Sequence, residues 1–139
     1  MNKEYGMILQ SIMASTNDYV TRQVKKYGLK QGQVDYLILI ANYPNINQLE
    51  LTKKKNVGKA SVTKALKILE EDGFISREVD PKDKRNFLCK VTPKGEKIIS
   101  DLVKVKNQTV EVLFSDFTKE EKESFYNQLL KLEKNSKKL

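Results

Sequence analysis

The chain has no histidine and no tryptophan, one cysteine and three prolines in 139 residues. Each shortage removes a class of chemistry. Without an imidazole, neither a Ser–His–Asp triad nor a Cys/His zinc site can be assembled. Cys89 alone cannot build an internal disulfide framework, and such sparing use of cysteine fits a reducing cytoplasm. No apolar run approaches the roughly 18 residues a membrane span needs. The N-terminal MNKEYGMILQSIM lacks the apolar core and small residues of a secretion signal, and places acidic Glu4 near its start. A Gly-rich phosphate loop and clustered carboxylates are also missing. The expectation is a cytoplasmic protein that is not an enzyme, has no cofactor or metal, and does not associate with membrane.

What the chain does have is positive charge. Lys and Arg number 26 against 18 Asp and Glu, a net of +8 with a pI near 9.4. That balance favours an acidic partner, either nucleic acid or an anionic surface. The charge is also localised. Between Lys53 and Lys97 lie 13 basic and seven acidic residues, so this third of the chain holds +6. Lysine dominates, with only Arg22, Arg77 and Arg85 as guanidinium groups, each of which calls for its own explanation.

The length suits one domain with a modest core. Apolar residues at 5, 8, 9, 12, 13, 19, 20 and 24 have helical spacing, and Gly28 stops that helix. A second helix runs from about Lys30 to Asn42, its VDYLILIA portion apolar nearly all round, and ends at Tyr43-Pro44-Asn45. Two shorter helices follow, about Asn47 to Lys54 and Lys59 to Asp72, separated by the turn Asn56-Val57-Gly58. The first is expected to bury Leu49 and Leu51. The second is expected to bury Val62, Ala65, Leu66 and Leu69, leaving Lys59, Ser61, Thr63, Lys64 and Lys67 outside. After Asp72-Gly73 the period changes to about two, and FISREV (74–79) and FLCKVT (87–92) read as strands. Thr92-Pro93 opens a long helix to about Leu113. Thr118-Lys119-Glu120-Glu121 caps a last helix expected to bury Phe125, Leu129, Leu130 and Leu132.

Two short helices, a tight turn and a hairpin in this order describe a winged helix-turn-helix. A B-form major groove admits one α-helix, whose polar side chains reach base edges. KASVTKALKILEE suits that role, with Ser61, Thr63 and Lys64 near its N-terminal half. Lys53, Lys54, Lys55, Lys59 and Lys67 suit phosphate, which fixes position without encoding sequence. Lysines alone would read as a solvated face; the turn and hairpin change that reading.

The stretches LKQGQVDYL (29–37), ASVTKALKILEEDGFISR (60–77) and DPKDKRNFLCKVTPKG (80–95) resemble the MarR family of bacterial and archaeal transcriptional regulators. The last follows the family's wing signature of D-x-R, an alternating strand and T-x-x-G. The resemblance implies a mainly α (α+β) fold, a winged helix-turn-helix with long N- and C-terminal dimerisation helices. It divides residues 1–139 into a DNA-binding core at 29–94 and dimerisation helices at 1–28 and 95–139. Together, the groove geometry and the resemblance place Lys53, Lys54, Lys59, Ser61, Val62, Thr63, Lys64, Lys67, Lys82, Asp83, Lys84 and Arg85 at the DNA. Arg85 matches the wing-tip arginine that enters the minor groove, and Asp83 the acidic residue that orients it.

Two departures stand out: Gly58 where Asp or Ser often caps the recognition helix, and Lys64 where Arg is common. Cys89 alternates with Phe87 and Val91 and reads as a small core residue rather than an oxidant sensor. Arg77 and Glu78 read as strand residues in local salt bridges, and Tyr5, Tyr19 and Tyr36 as core more readily than as ligand-pocket walls. The implied function is a homodimeric repressor that binds a pseudo-palindromic double-stranded DNA operator and is released by a small aromatic or phenolic effector. The alternative is a non-specific architectural DNA-binding protein of the same fold.

Overall fold

In the computed structural model, residues 2–139 are described, with side chains from Glu4 onward. The first apolar stripe forms helix α1 (Asn2–Val24), which a 3-10 turn continues over Lys25–Tyr27. Gly28 ends it at φ 75°, where a Cβ would be strained, and donates its N–H to the Lys25 carbonyl at 2.9 Å. Only the C-terminal end of α1 reaches the core. Val20 and Val24 are buried, whereas Tyr5, Ile8, Leu9, Ile12 and Met13 are exposed.

Helix α2 (Gln31–Asn42) is the central element, burying Val34, Tyr36, Leu37 and Ile40. Tyr36 is therefore a core aromatic, Tyr19 packs against the core partly buried, and Tyr5 is exposed. A two-residue strand β1 (Ile46–Asn47) follows, then α3 (Gln48–Lys55), whose N-cap Asn47 accepts from the Glu50 N–H at 2.8 Å. Asn56 closes α3 at φ 52°, a left-handed position that asparagine tolerates. Of the two leucines expected inside, Leu51 is fully buried but Leu49 is 57% exposed. A two-turn helix has room for one core contact, and Leu51 occupies it.

Helix α4 (Lys59–Glu71) leads through Gly73 (φ 80°) into strands β2 (Ile75–Val79) and β3 (Phe87–Val91). The sheet is antiparallel in the order β1-β3-β2, with Ile46 opposite Cys89 and Arg77 opposite Cys89 from the other side. The expected two-stranded hairpin thus gains a third strand, and Ile46 and Cys89 carry it into the core. Helix α5 (Pro93–Leu113) and α6 (Lys119–Ser136) complete the chain. The architecture is mainly helical with one small sheet.

The backbone divides into two compact units, one ending at Lys106 and the other spanning Asn107–Leu139, with the boundary inside α5. In the second unit Phe114, Phe117 and Phe125 form an edge-to-face and tilted cluster with ring centroids 4.9 to 6.1 Å apart. Thr118 and Glu121 form the expected capping box at 3.1 and 3.0 Å. The expected burial of Leu129, Leu130 and Leu132 does not occur; they are exposed and Phe125 is only half-buried. Their spacing marks an apolar face without supplying anything to cover it.

Candidate nucleic-acid interface

Helix α4 separates its residues by the 3.6 period. Val62, Leu66 and Leu69 are fully buried, and Lys59, Ser61, Thr63, Lys64 and Lys67 are exposed on the opposite side. Val62 must therefore be withdrawn from the candidate DNA contacts. It belongs to the same stripe as Leu66 and Leu69, so its side chain points into the core. Gly58 caps α4 without a side-chain bond, as its identity requires. Thr63 Oγ1 donates to the Lys59 carbonyl at 2.9 Å and accepts from Gln48 Nε2 at 2.5 Å.

The lysines ending α3 differ from one another. Lys53 and Lys54 are exposed, and Lys54 Nζ lies 4.1 Å from the Tyr43 ring centroid. Lys55 turns inward to Asp35 at 3.3 Å, and Lys106 reaches the same carboxylate at 2.9 Å. Burial opposes the charge on Asp35, but the two ammonium groups outweigh it and hold the carboxyl below its ordinary value. Lys55 is thus a structural cation rather than a free phosphate contact. Lys67 pairs with Glu71 at 3.9 Å, both well exposed, an arrangement of little energetic weight.

The β2–β3 hairpin closes through its own loop. The Asp80 N–H donates to the Asn86 carbonyl at 2.9 Å, and the Asn86 N–H to the Asp83 carbonyl at 3.0 Å. Asp80 Oδ1 takes the Lys82 N–H at 2.9 Å, and Lys82 and Lys84 are exposed. Asp83 Oδ1 accepts both the backbone N–H and Nε of Arg85 at 3.1 Å, with Oδ2 3.4 Å from Nη2. Those bonds hold the Asp83 carboxyl below its usual range and raise the guanidinium of Arg85 further. The Arg85 side chain nevertheless remains 91% exposed. It is aimed by its neighbour and left open to solvent.

Two devices fasten this hairpin to α4 and α5. Arg77 Nη2 donates to Glu70 Oε1 at 2.9 Å, which lowers the Glu70 carboxyl and raises the guanidinium. Thr92 Oγ1 donates to the Gly73 carbonyl at 2.5 Å and accepts the Gly95 N–H at 3.2 Å. A Cβ on Gly95 would lie 2.5 Å from the Phe74 carbonyl and 2.6 Å from Val91 Cγ1. The T-x-x-G of the sequence is therefore a close-packed joint, requiring a hydroxyl at one end and no side chain at the other. Cys89 is buried under the hairpin, and burial pushes its thiol up to about 11. It is an inert core residue.

The sequence profile of the MarR family matches residues 29–87, from two residues before α2 to the first residue of β3. The "Uncharacterized HTH-type transcriptional regulator YybA" of Bacillus subtilis is 32% identical over 96% of this chain and 86% of its own length. The chain belongs to the MarR family. A structure titled "Crystal Structure of MarR" superposes with a TM-score of 0.80 at 33% identity, covering 96% of this chain and 90% of that one. A Listeria monocytogenes protein described as a putative MarR family regulator "complexed with 26mer DNA" shares the fold, with a TM-score of 0.82 at 24% identity over 97% and 87% of the two chains.

As a MarR-family member the protein is a DNA-binding transcriptional regulator rather than an enzyme. No helix among the described residues is long and apolar enough to cross a membrane. The MarR fold also brings in residues that sequence reasoning passed over. Gln48 stands at the first position of α3 and touches the exposed face of α4, yet nothing in its own segment marks it. Lys94 donates to the Asp72 carbonyl at 2.6 Å and lies over the Phe74 ring, so it serves the α4–β2 joint. Within the second unit a groove of about 590 Å³ is lined by Val110, Phe114, Phe125, Tyr126 and Leu129, with Glu111, Glu123 and Lys122 also at its walls.

Proposed function

We propose that this protein is a homodimeric repressor that reads a pseudo-palindromic operator. Each copy inserts α4 into a major groove, with Ser61, Thr63 and Lys64 towards base edges and Lys53, Lys54, Lys59 and Lys67 along phosphates. The wing grips the flanking minor groove through Arg85, with Lys82 and Lys84 facing phosphate. The observation that carries this reading is the exposed Arg85 guanidinium held by Asp83. A narrow minor groove concentrates negative potential, and a pre-oriented guanidinium enters it with less ordering cost than a free one.

Dimerisation is supported by the apolar side chains left open on the terminal helices. Ile8, Leu9, Ile12 and Met13 on α1 and Val112, Leu130 and Leu132 further along are all exposed. Large apolar side chains left exposed along a helix face, on each unit taken by itself, favour burial against a partner. The groove at Phe114 and Tyr126 fits a partner copy better than an anionic effector, since two carboxylates and one ammonium line it. Family resemblance adds release by a small aromatic or phenolic ligand. Such a ligand acts only by binding the DNA-competent and incompetent arrangements unequally.

Selection of bound duplexes from a random DNA library tests the reading. Expected is a two-fold symmetric motif with half-sites about 10 base pairs apart, one helical turn. Recovery of DNA without a motif would leave the architectural alternative in its place.

A further inference from the structure

The outer face of α4 carries a side chain that α4 does not supply. Gln48, the first residue of α3, donates from Nε2 to Thr63 Oγ1 at 2.5 Å, and Thr63 donates in turn to the Lys59 carbonyl at 2.9 Å. A hydroxyl has one proton and two lone pairs. The Thr63 proton is committed to the backbone and one lone pair to Gln48. Its hydroxyl therefore offers a ligand no donor, and what remains for recognition is one lone pair and the methyl. The same commitment fixes the Gln48 amide. Only an N–H can face an oxygen whose proton is engaged elsewhere, which leaves Oε1 and the second N–H of Gln48 unspent.

One donor beside one acceptor complements the N7 acceptor and N6–H donor of adenine, and a threonine methyl suits the C5 methyl of thymine. Phosphate is a poorer match, since its oxygens accept only and Oε1 would oppose them. We propose that Gln48 and Thr63 form a composite reader of A·T pairs in each half-site, Gln48 taking the adenine edge and Thr63 the thymine methyl. This rests on α4 entering a major groove, as proposed above. It makes Gln48 a specificity-determining residue although it lies outside the recognition helix, and it leaves Ser61 and Lys64 to read other positions.

The test is selection from a random duplex library with the wild type, Gln48→Ala, Gln48→Met and Thr63→Ser. The wild type should enrich adenine at one position of each half-site. Both Gln48 variants should lose that preference roughly tenfold, with the remaining positions and the salt dependence unchanged. Gln48→Met preserves length and helix propensity, so a folding defect in the alanine variant would not obscure the result. Thr63→Ser keeps the hydroxyl but loses the methyl, so it should weaken the same A·T preference less than the Gln48 variants do. An unaltered motif in both Gln48 variants, or a uniform loss of affinity for all sequences, would overturn the composite reader. A wild-type pool without any motif would remove the sequence-specific reading beneath it.

Discussion

Core side chains run from Val20 to Val105, whereas after Asn107 the apolar residues Val110, Val112, Leu113, Leu130 and Leu132 lie exposed. The first unit closes a core around α2, α4 and the sheet, although the N-terminal part of α1 leaves Ile8, Leu9, Ile12 and Met13 exposed. The second unit has the same amphipathic helices but leaves their apolar faces open. Periodicity of hydrophobic residues is equally clear in both. Burial therefore depends on a second surface being present, which the period of one helix cannot report.

Paired leucine truncations would test this contrast most strongly. Leu66→Ala removes a fully buried side chain and should lower unfolding free energy by about 2–5 kcal/mol in denaturant titration. Leu130→Ala, at a site 45% exposed in the single chain, should act through self-association. Its unfolding midpoint would fall most at low protein concentration, and sedimentation would show a weaker dimer. Equal, concentration-independent losses in both variants would erase the distinction between the units.

A smaller effect is expected at Asp35, which joins α2 to Lys55 of α3 and Lys106 of α5. Because folding lowers this carboxyl, its contribution is present above the ordinary carboxylate pKa of about 3.9 and is lost as pH falls through the depressed folded value. Asp35→Asn should cost about 1–2 kcal/mol at pH 7, with the difference from wild type vanishing in acid. A pH-independent difference would mean that the ion pairs are not its source. The smallest effect belongs to Lys67→Ala. The salt dependence of DNA binding should lose about one unit of slope, equally for every sequence. An unchanged slope would assign Lys67 to its surface pair with Glu71 instead.

The wing was legible because its chemistry is local. D-x-R names a carboxylate two residues from the guanidinium it holds, and both ends of T-x-x-G meet at one joint, at Gly95 and Gly73. The α4 faces were legible as well: Val62 was expected in the core with Leu66 and Leu69, which is why its place among the DNA contacts does not stand. Less accessible were features made by residues distant in sequence. Strand β1 is two residues long and exists only because Ile46 pairs with Cys89. Gln48 meets Thr63 across 15 positions, and Leu49 and Leu51 are equivalent until the packing of α3 selects one.

The central claim is that one arginine at the wing tip, aimed by its neighbouring aspartate, reaches into the minor groove. Affinity of Arg85→Ala for the selected duplex, measured at fixed salt beside the wild type, tests it most directly. The expected result is a loss of about 1–3 kcal/mol with the thermal unfolding midpoint and dimer mass unchanged, since the Arg85 side chain is 91% exposed and hydrogen-bonds to Asp83. Wild-type affinity in the variant would contradict the wing assignment.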